Sequence, residues 1–189
     1  MRHIMWVFIR KLSGIVLLLL AASAGGFLLT GSSFWKWLTV LLATLTYHIL
    51  MRSAVANTCN AIMHNHADCR SRWFRVTDRE QRLYRRLRVK QWKNKVPTYD
   101  PESFNVRTHS WDEIAQTTCQ SEVVHETNIC LSYLPAILAR WTGGVRLQLA
   151  AAVFATAVES CFVMIQRYNR GRILKLMDRQ ARRISGKTR

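Results

Sequence analysis

Four apolar stretches of nearly membrane-spanning length, separated by strongly basic segments, constrain this chain more than any other feature. They run about 12–29, 34–50, 127–141 and 145–165. A hydrocarbon core of roughly 30 Å takes about 17–25 helical residues, so these are short spans or spans helped by their flanks. Arg2, Arg10 and Lys11 precede the first stretch. A dense Lys/Arg segment lies between Arg52 and Arg107, and another runs from Arg167 to Arg189. The remaining connections, Thr30-Gly31-Ser32-Ser33 and Trp141-Thr142-Gly143-Gly144, are tiny and almost uncharged. The positive-inside rule then puts both termini and the long middle segment in the cytosol. The expected fold is all-α: one small polytopic membrane domain over residues 1–189, with about four transmembrane helices. A cytosolic segment 51–118 and a basic tail 167–189 complete it.

A net charge of +17 would point to nucleic acid in a soluble protein. Here the cations adjoin membrane spans, where anionic headgroups attract each Lys or Arg by roughly 1 kcal/mol. The expected partner is therefore an anionic bilayer and not DNA or RNA, and the number of copies in the assembly is left open. Ala22-Ser23-Ala24 reads like a signal-peptidase site after the run Ile15 to Leu20. The apolar stretch continues through Gly26-Phe27-Leu28-Leu29, with a second span close behind, so a retained helical hairpin is expected.

Five cysteines, an odd number, fall in the cytosol or the membrane by this topology, where disulfides are not expected. Cys59, His64, His66 and Cys69 are a ligand set zinc would accept, but their spacing matches no zinc pattern. The expectation is no metal, with this quartet as the alternative. Glu122, His125 and Glu126, with His64 or His66, form a second metal-binding alternative, which would make the protein a lipid-metabolising metalloenzyme.

Residues 70–92 read as a basic amphipathic helix on the membrane surface. Trp73, Phe74, Val76, Leu83, Tyr84, Leu87 and Trp92 are its apolar anchors among the arginines. Val96-Pro97 ends it, because the residue before proline leaves the helical region. Asp100 to Asn105 follows as loop. Ser110 and Glu113 then have the spacing of a capping box.

Chemistry is expected at the entrance to the third stretch. On a helix Glu122 and His125 share a face, one turn after Cys119. A carboxylate beside an imidazole can orient it as a base for a hydroxyl proton. Ionisable groups at a membrane boundary are costly unless paired or used. Glu159 lies deep in the last stretch, with Glu122, His125 or Arg167 as its expected partner. Gln166, Arg167, Tyr168, Asn169 and Arg170 follow at the exit, a set suited to a phosphate or a sugar. Lys93 and Lys95 are further candidates for the headgroup of a donor or acceptor.

Three motifs then carry a resemblance: Val89-Lys90-Gln91-Trp92-Lys93-Asn94-Lys95-Val96-Pro97, Glu122-Val123-Val124-His125, and Gln166-Arg167-Tyr168-Asn169-Arg170. Their order resembles that in the glycosyl-4,4′-diaponeurosporenoate acyltransferases, small bacterial membrane proteins named for the last step of staphyloxanthin synthesis. The resemblance covers about 84–98 and 114–178. The chain differs from the family pattern at Thr117, Gln120, Glu126, Glu159, Cys161 and Gly171. The resemblance implies an O-acyltransferase of the bacterial cell membrane that places a fatty acyl chain on a hydroxyl of a lipid-linked, glycosylated acceptor. No bound cofactor is expected; the acyl donor (acyl-CoA, acyl carrier protein or phospholipid) would be a co-substrate. The alternative from a different class is a non-enzymatic accessory or assembly protein that binds anionic lipid.

Overall fold

The computed structural model describes residues 2–96 and 102–187, which form α-helices and short 3-10 turns with no strand among them. The expected all-α class is what the structure has. Pro97, Asp100 and Pro101 lie outside the described residues. Helices α1 (Arg2–Thr30) and α2 (Ser33–Met63) are joined through Gly31, whose φ of 61° is in the left-handed region that glycine adopts without a Cβ penalty. Three helical segments are long and apolar enough to cross a membrane: Val7–Thr30, Ser33–Met63 and Val145–Ser185.

The stretch 127–141 is not one helix. It is divided between α5 (Trp111–Ser132) and α6 (Leu134–Thr142). Pro135 is the reason, because it has no N–H to donate to the carbonyl of Leu131, four residues earlier. That carbonyl instead accepts the hydroxyl of Tyr47 at 2.8 Å. The last apolar stretch extends far beyond Ile165, in α7 (Val145–Lys187), whose 43 residues are about twice what a hydrocarbon core needs.

The chain divides into two compact units, Met1–Thr58 with Glu126–Glu159, and Cys59–His125 with Ser160–Arg189. In the first unit, polar rungs cross between apolar helices, as lipid requires of any polar group it surrounds. Thr39 donates to Ser23 at 3.2 Å, and Gln148 Nε2 donates to Thr44 Oγ1 at 2.7 Å. Arg52 Nε donates to Glu159 Oε1 at 2.6 Å. The rungs 44–148 and 52–159 show that α2 and α7 run in the same direction. Asn128 Nδ2 reaches Glu159 at 3.5 Å and Thr156 donates to Tyr133 at 3.1 Å, so α5 runs opposite to α7. Between the two α2–α7 rungs, Ala152 and Ala155 are buried, and small residues there let helices approach closely. At Gly26 any Cβ would lie 2.7 Å from the Trp35 ring, so α1 and α2 close on one another only because that position is glycine.

The second unit departs from the expected continuous helix over 70–92. Residues 70–77 are irregular, and α3 (Asp78–Arg86) begins at a capping box in which Thr77 accepts from Glu80 N and Glu80 accepts from Thr77 N. Arg88, at φ 52°, then separates α3 from α4 (Val89–Trp92). Lys93–Lys95 is a 3-10 turn, and Val96 is extended, as expected before proline. The apolar side chains of this segment divide. Phe74, Tyr84 and Val89 are buried in the protein, while Trp73, Leu83 and Leu87 are exposed. The Ser110–Glu113 capping box is present at the start of α5. Cys69, Phe74, Ile114, Ala115, Cys119 and Ile173 form the core of the unit.

Candidate functional site

The second unit gathers the polar residues of α5 and α7 around the irregular segment 70–77. Glu122 is completely buried. Its Oε1 is 2.5 Å from Arg167 Nη1, and its Oε2 is 2.5 Å from Arg170 Nη1. Arg167 also donates from Nε to Glu80 Oε1 at 2.8 Å, from Nη1 to the Trp73 carbonyl at 3.2 Å and from Nη2 to the Arg75 carbonyl at 3.1 Å. Arg170 is completely buried and donates from Nε and Nη2 to the Phe74 carbonyl, at 3.1 and 2.8 Å. The Phe74 ring lies 5.1 Å from its guanidinium carbon. Three consecutive carbonyls of a segment without regular structure are thereby satisfied by two arginines three residues apart on one helix.

Arg167 and Arg170, expected from sequence at a substrate headgroup, are engaged here with Glu122 and with the main chain. Arg170 has no exposed surface, and both guanidinium groups are committed to Glu122 and to main-chain carbonyls. They organise the site from within. Likewise both oxygens of Glu122 engage arginines.

Glu80 has three kinds of partner. Burial pushes its carboxyl pKa up, but the Thr77 N–H and hydroxyl together with the Arg167 guanidinium outweigh that and hold it below its ordinary value. Tyr84 is pushed up to about 12 by burial and then by the charge of Glu80. Glu80 was not among the residues expected at the site. The pattern Thr77-x-x-Glu80 marks it in sequence as a capping residue.

His125, half-buried, lies one turn beyond Glu122 and stacks face to face on Phe162, with ring centroids 4.8 Å apart and planes 6° from parallel. A second cluster joins two of the sequence motifs. Lys93 Nζ donates to Asn169 Oδ1 at 2.6 Å and sits 5.4 Å from the centre of the Tyr168 ring, with Arg172 5.8 Å from the same ring. Burial and then the nearby Arg172 charge lower the Lys93 pKa. Lys95 is exposed. Gln166 is buried, and its Oε1 has no hydrogen-bond partner among the described residues. Glu159 belongs to the first unit, where it pairs with Arg52, a residue read from sequence only as a flanking charge.

His64 and His66 are exposed, Cys69 is buried against Cys119, and no group of three or more His, Cys, Asp or Glu among the described residues is arranged to hold an ion. Gln120, at a position where the chain differs from the family pattern, accepts the Asn65 N–H at 2.7 Å and so supports the left-handed turn at His64 and Asn65.

No curated protein and no solved structure matches the chain. A family model described as glycosyl-4,4′-diaponeurosporenoate acyltransferase matches residues 70–179. That range contains Glu80, Lys93, Glu122, His125 and the whole motif from Gln166 to Arg170. With more than half of its length matched, including every side chain of the buried network, the chain belongs to the glycosyl-4,4′-diaponeurosporenoate acyltransferase family.

Proposed function

We propose that this protein is a membrane-embedded O-acyltransferase that moves a fatty acyl chain onto a hydroxyl of a lipid-linked, glycosylated acceptor, with His125 as general base. The observation that carries the reading is the stacking of His125 on Phe162 one turn from the buried Glu122–Arg167–Arg170 network. Stacking holds the plane of the imidazole, and the nitrogens lie at its edge, where proton transfer takes place. Glu122 assists by fixing Arg167 and Arg170, which in turn hold segment 70–77 beside the helix that bears His125.

In this mechanism the acceptor hydroxyl gives its proton to His125 as its oxygen attacks the acyl carbonyl. Collapse of the tetrahedral intermediate expels the donor's thiolate or alkoxide, which takes the proton back from His125. The Gln166 amide, Tyr168 or Asn169 donates to the oxyanion, a contribution often worth about 3 kcal/mol. Lys93 and Lys95 face the headgroup of the donor, which is acyl-CoA, acyl carrier protein or a phospholipid. The parallel course of α2 and α7, each followed by a basic segment, supports four crossings of the bacterial cell membrane with both termini cytosolic.

One observation favours the competing reading of a non-enzymatic accessory protein: Arg170 is sealed inside the fold and serves packing. Lipid extracts decide between them. Cells supplying a glycosylated lipid acceptor would express the wild type or His125→Ala, and extracts would be compared by mass spectrometry. The expected result is an acylated glycolipid with wild type and none with His125→Ala at equal protein level. Equal product from the variant removes His125 as the base. Absence of product from wild type in such cells favours the accessory protein.

A further inference from the structure

Cys69 and Cys119 are separated by 50 positions in the chain, yet the Cys119 thiol donates to Cys69 Sγ across 2.9 Å in the core of the second unit. All five cysteines of the protein are free thiols in this structure. A disulfide bond is about 2.05 Å long, so these sulfurs need to approach by less than 1 Å to be joined. From this juxtaposition we infer that Cys69 and Cys119 are a redox-active dithiol, a modification site at which a peroxide-class oxidant converts two thiols into one intramolecular disulfide.

Cys69, the hydrogen-bond acceptor of the pair, attacks the peroxide as thiolate, becoming a sulfenic acid while hydroxide leaves. Cys119 sulfur then attacks the sulfenic sulfur. The S–O bond breaks, an S–S bond forms, and the thiol proton leaves with the oxygen as water. The peroxide is reduced by two electrons and the dithiol is oxidised by two.

The asymmetry of the pair suits these roles. The Cys119 hydrogen bond lowers the Cys69 pKa, burial opposes this, and Arg170 lowers it further. Cys119 is pushed up by the same hydrogen bond and then by its complete burial. Cys69 retains slight exposure and meets the oxidant, while Cys119 has none and resolves the product.

The crosslink would tie segment 64–77, which supplies the Trp73, Phe74 and Arg75 carbonyls to the arginines, directly to α5 one turn before Glu122. The proposal is independent of any role for His125. A reducing cytosol keeps such a pair as thiols, so the disulfide is a response to oxidant and not a resident bond.

The test uses the full-length protein in detergent, with Cys59, Cys130 and Cys161 replaced by serine so that only the pair remains. After hydrogen peroxide and denaturation, thiol titration should find both thiols lost, with both restored by dithiothreitol. A non-reducing peptide map should show residues 69 and 119 crosslinked. Cys69→Ala in wild-type background, folded as judged by an unchanged elution volume, should no longer yield any crosslink to Cys119. The inference is overturned if the pair remains reduced at peroxide levels that oxidise exposed Cys130 in the wild type. It is overturned equally if the lost thiols map to crosslinks between molecules.

Discussion

Replacing Glu122 with glutamine removes one negative charge from a place that water does not reach. Glu122 and Arg170 have no exposed side-chain surface, and that of Arg167 is 14% exposed. In wild type the carboxylate lies 2.5 Å from both guanidinium groups. Arg167 retains Glu80 as a second anion in the variant, whereas Arg170 keeps only the Phe74 carbonyl and ring. The loss is therefore mainly one uncompensated buried cation, which costs about 3–5 kcal/mol. At about 2–4 °C per kcal/mol for a chain of this size, Glu122→Gln should melt roughly 10 °C below wild type. Intrinsic tryptophan fluorescence of the detergent-solubilised protein during heating reads this directly. The double variant Glu122→Gln/Arg170→Met removes both charges and should recover part of the loss, since a hydrophobic replacement of a buried pair is often neutral. A single variant melting within about 2 °C of wild type, or a double variant lower than the sum of the two singles, refutes the argument from uncompensated charge.

Three further outcomes follow from individual contacts. Tyr47→Phe leaves the Leu131 carbonyl, already abandoned by Pro135, without its 2.8 Å donor, and should destabilise the protein by about 1–2 kcal/mol in the same melting assay. Glu80→Gln should cost less than Glu122→Gln, about 1 kcal/mol, because its side chain is 28% exposed and solvent screens the pair. Since Glu80 has its carboxyl pKa held below the ordinary value of 4.5, its stabilisation is fully present above that pH and is lost as pH falls through the lowered value. The difference between wild type and Glu80→Gln should accordingly be constant from neutral pH down to that point and shrink below it; a difference that grows in acid contradicts the sign. Gly26→Val places branched carbon where even a Cβ would be 2.7 Å from Trp35, and should lower folded yield in membranes, whereas Gly25→Val, with open space around it, should not.

Local signals in the sequence were reliable where the structure is local. The two capping residues Ser110 and Glu113, the extended Val96 before proline, and the turn at Gly31 are set by side chains within four residues of the groups they satisfy. The three motifs that carry the family resemblance also proved to be neighbours in part, with Lys93 on Asn169. The structure departs from the sequence reading partly through long-range partners and partly through local signals passed over, Pro135 within 127–141 and the Thr77–Glu80 capping box within 70–92. A count of apolar residues over 127–141 passes through Pro135 without registering a missing N–H. Nothing near Arg167 and Arg170 in sequence shows the main-chain carbonyls almost a hundred residues earlier that they satisfy. Arg52 read as a flanking charge because its partner, Glu159, is 107 positions away. The contact of Cys69 with Cys119 had no sequence signal at all, since spacing across 50 residues carries no geometry.

The grip of Arg167 and Arg170 on Trp73, Phe74 and Arg75 is exerted on carbonyl oxygens, which every amino acid possesses. Trp73 and Arg75 are both exposed, and it is their main-chain oxygens that Arg167 holds. Substitution at either position should therefore be tolerated by the network across a wide range of chemistry. Deleting one residue between them should not, because it changes which oxygen stands opposite which nitrogen. Natural variation in this segment is expected to be free in composition and strict in length.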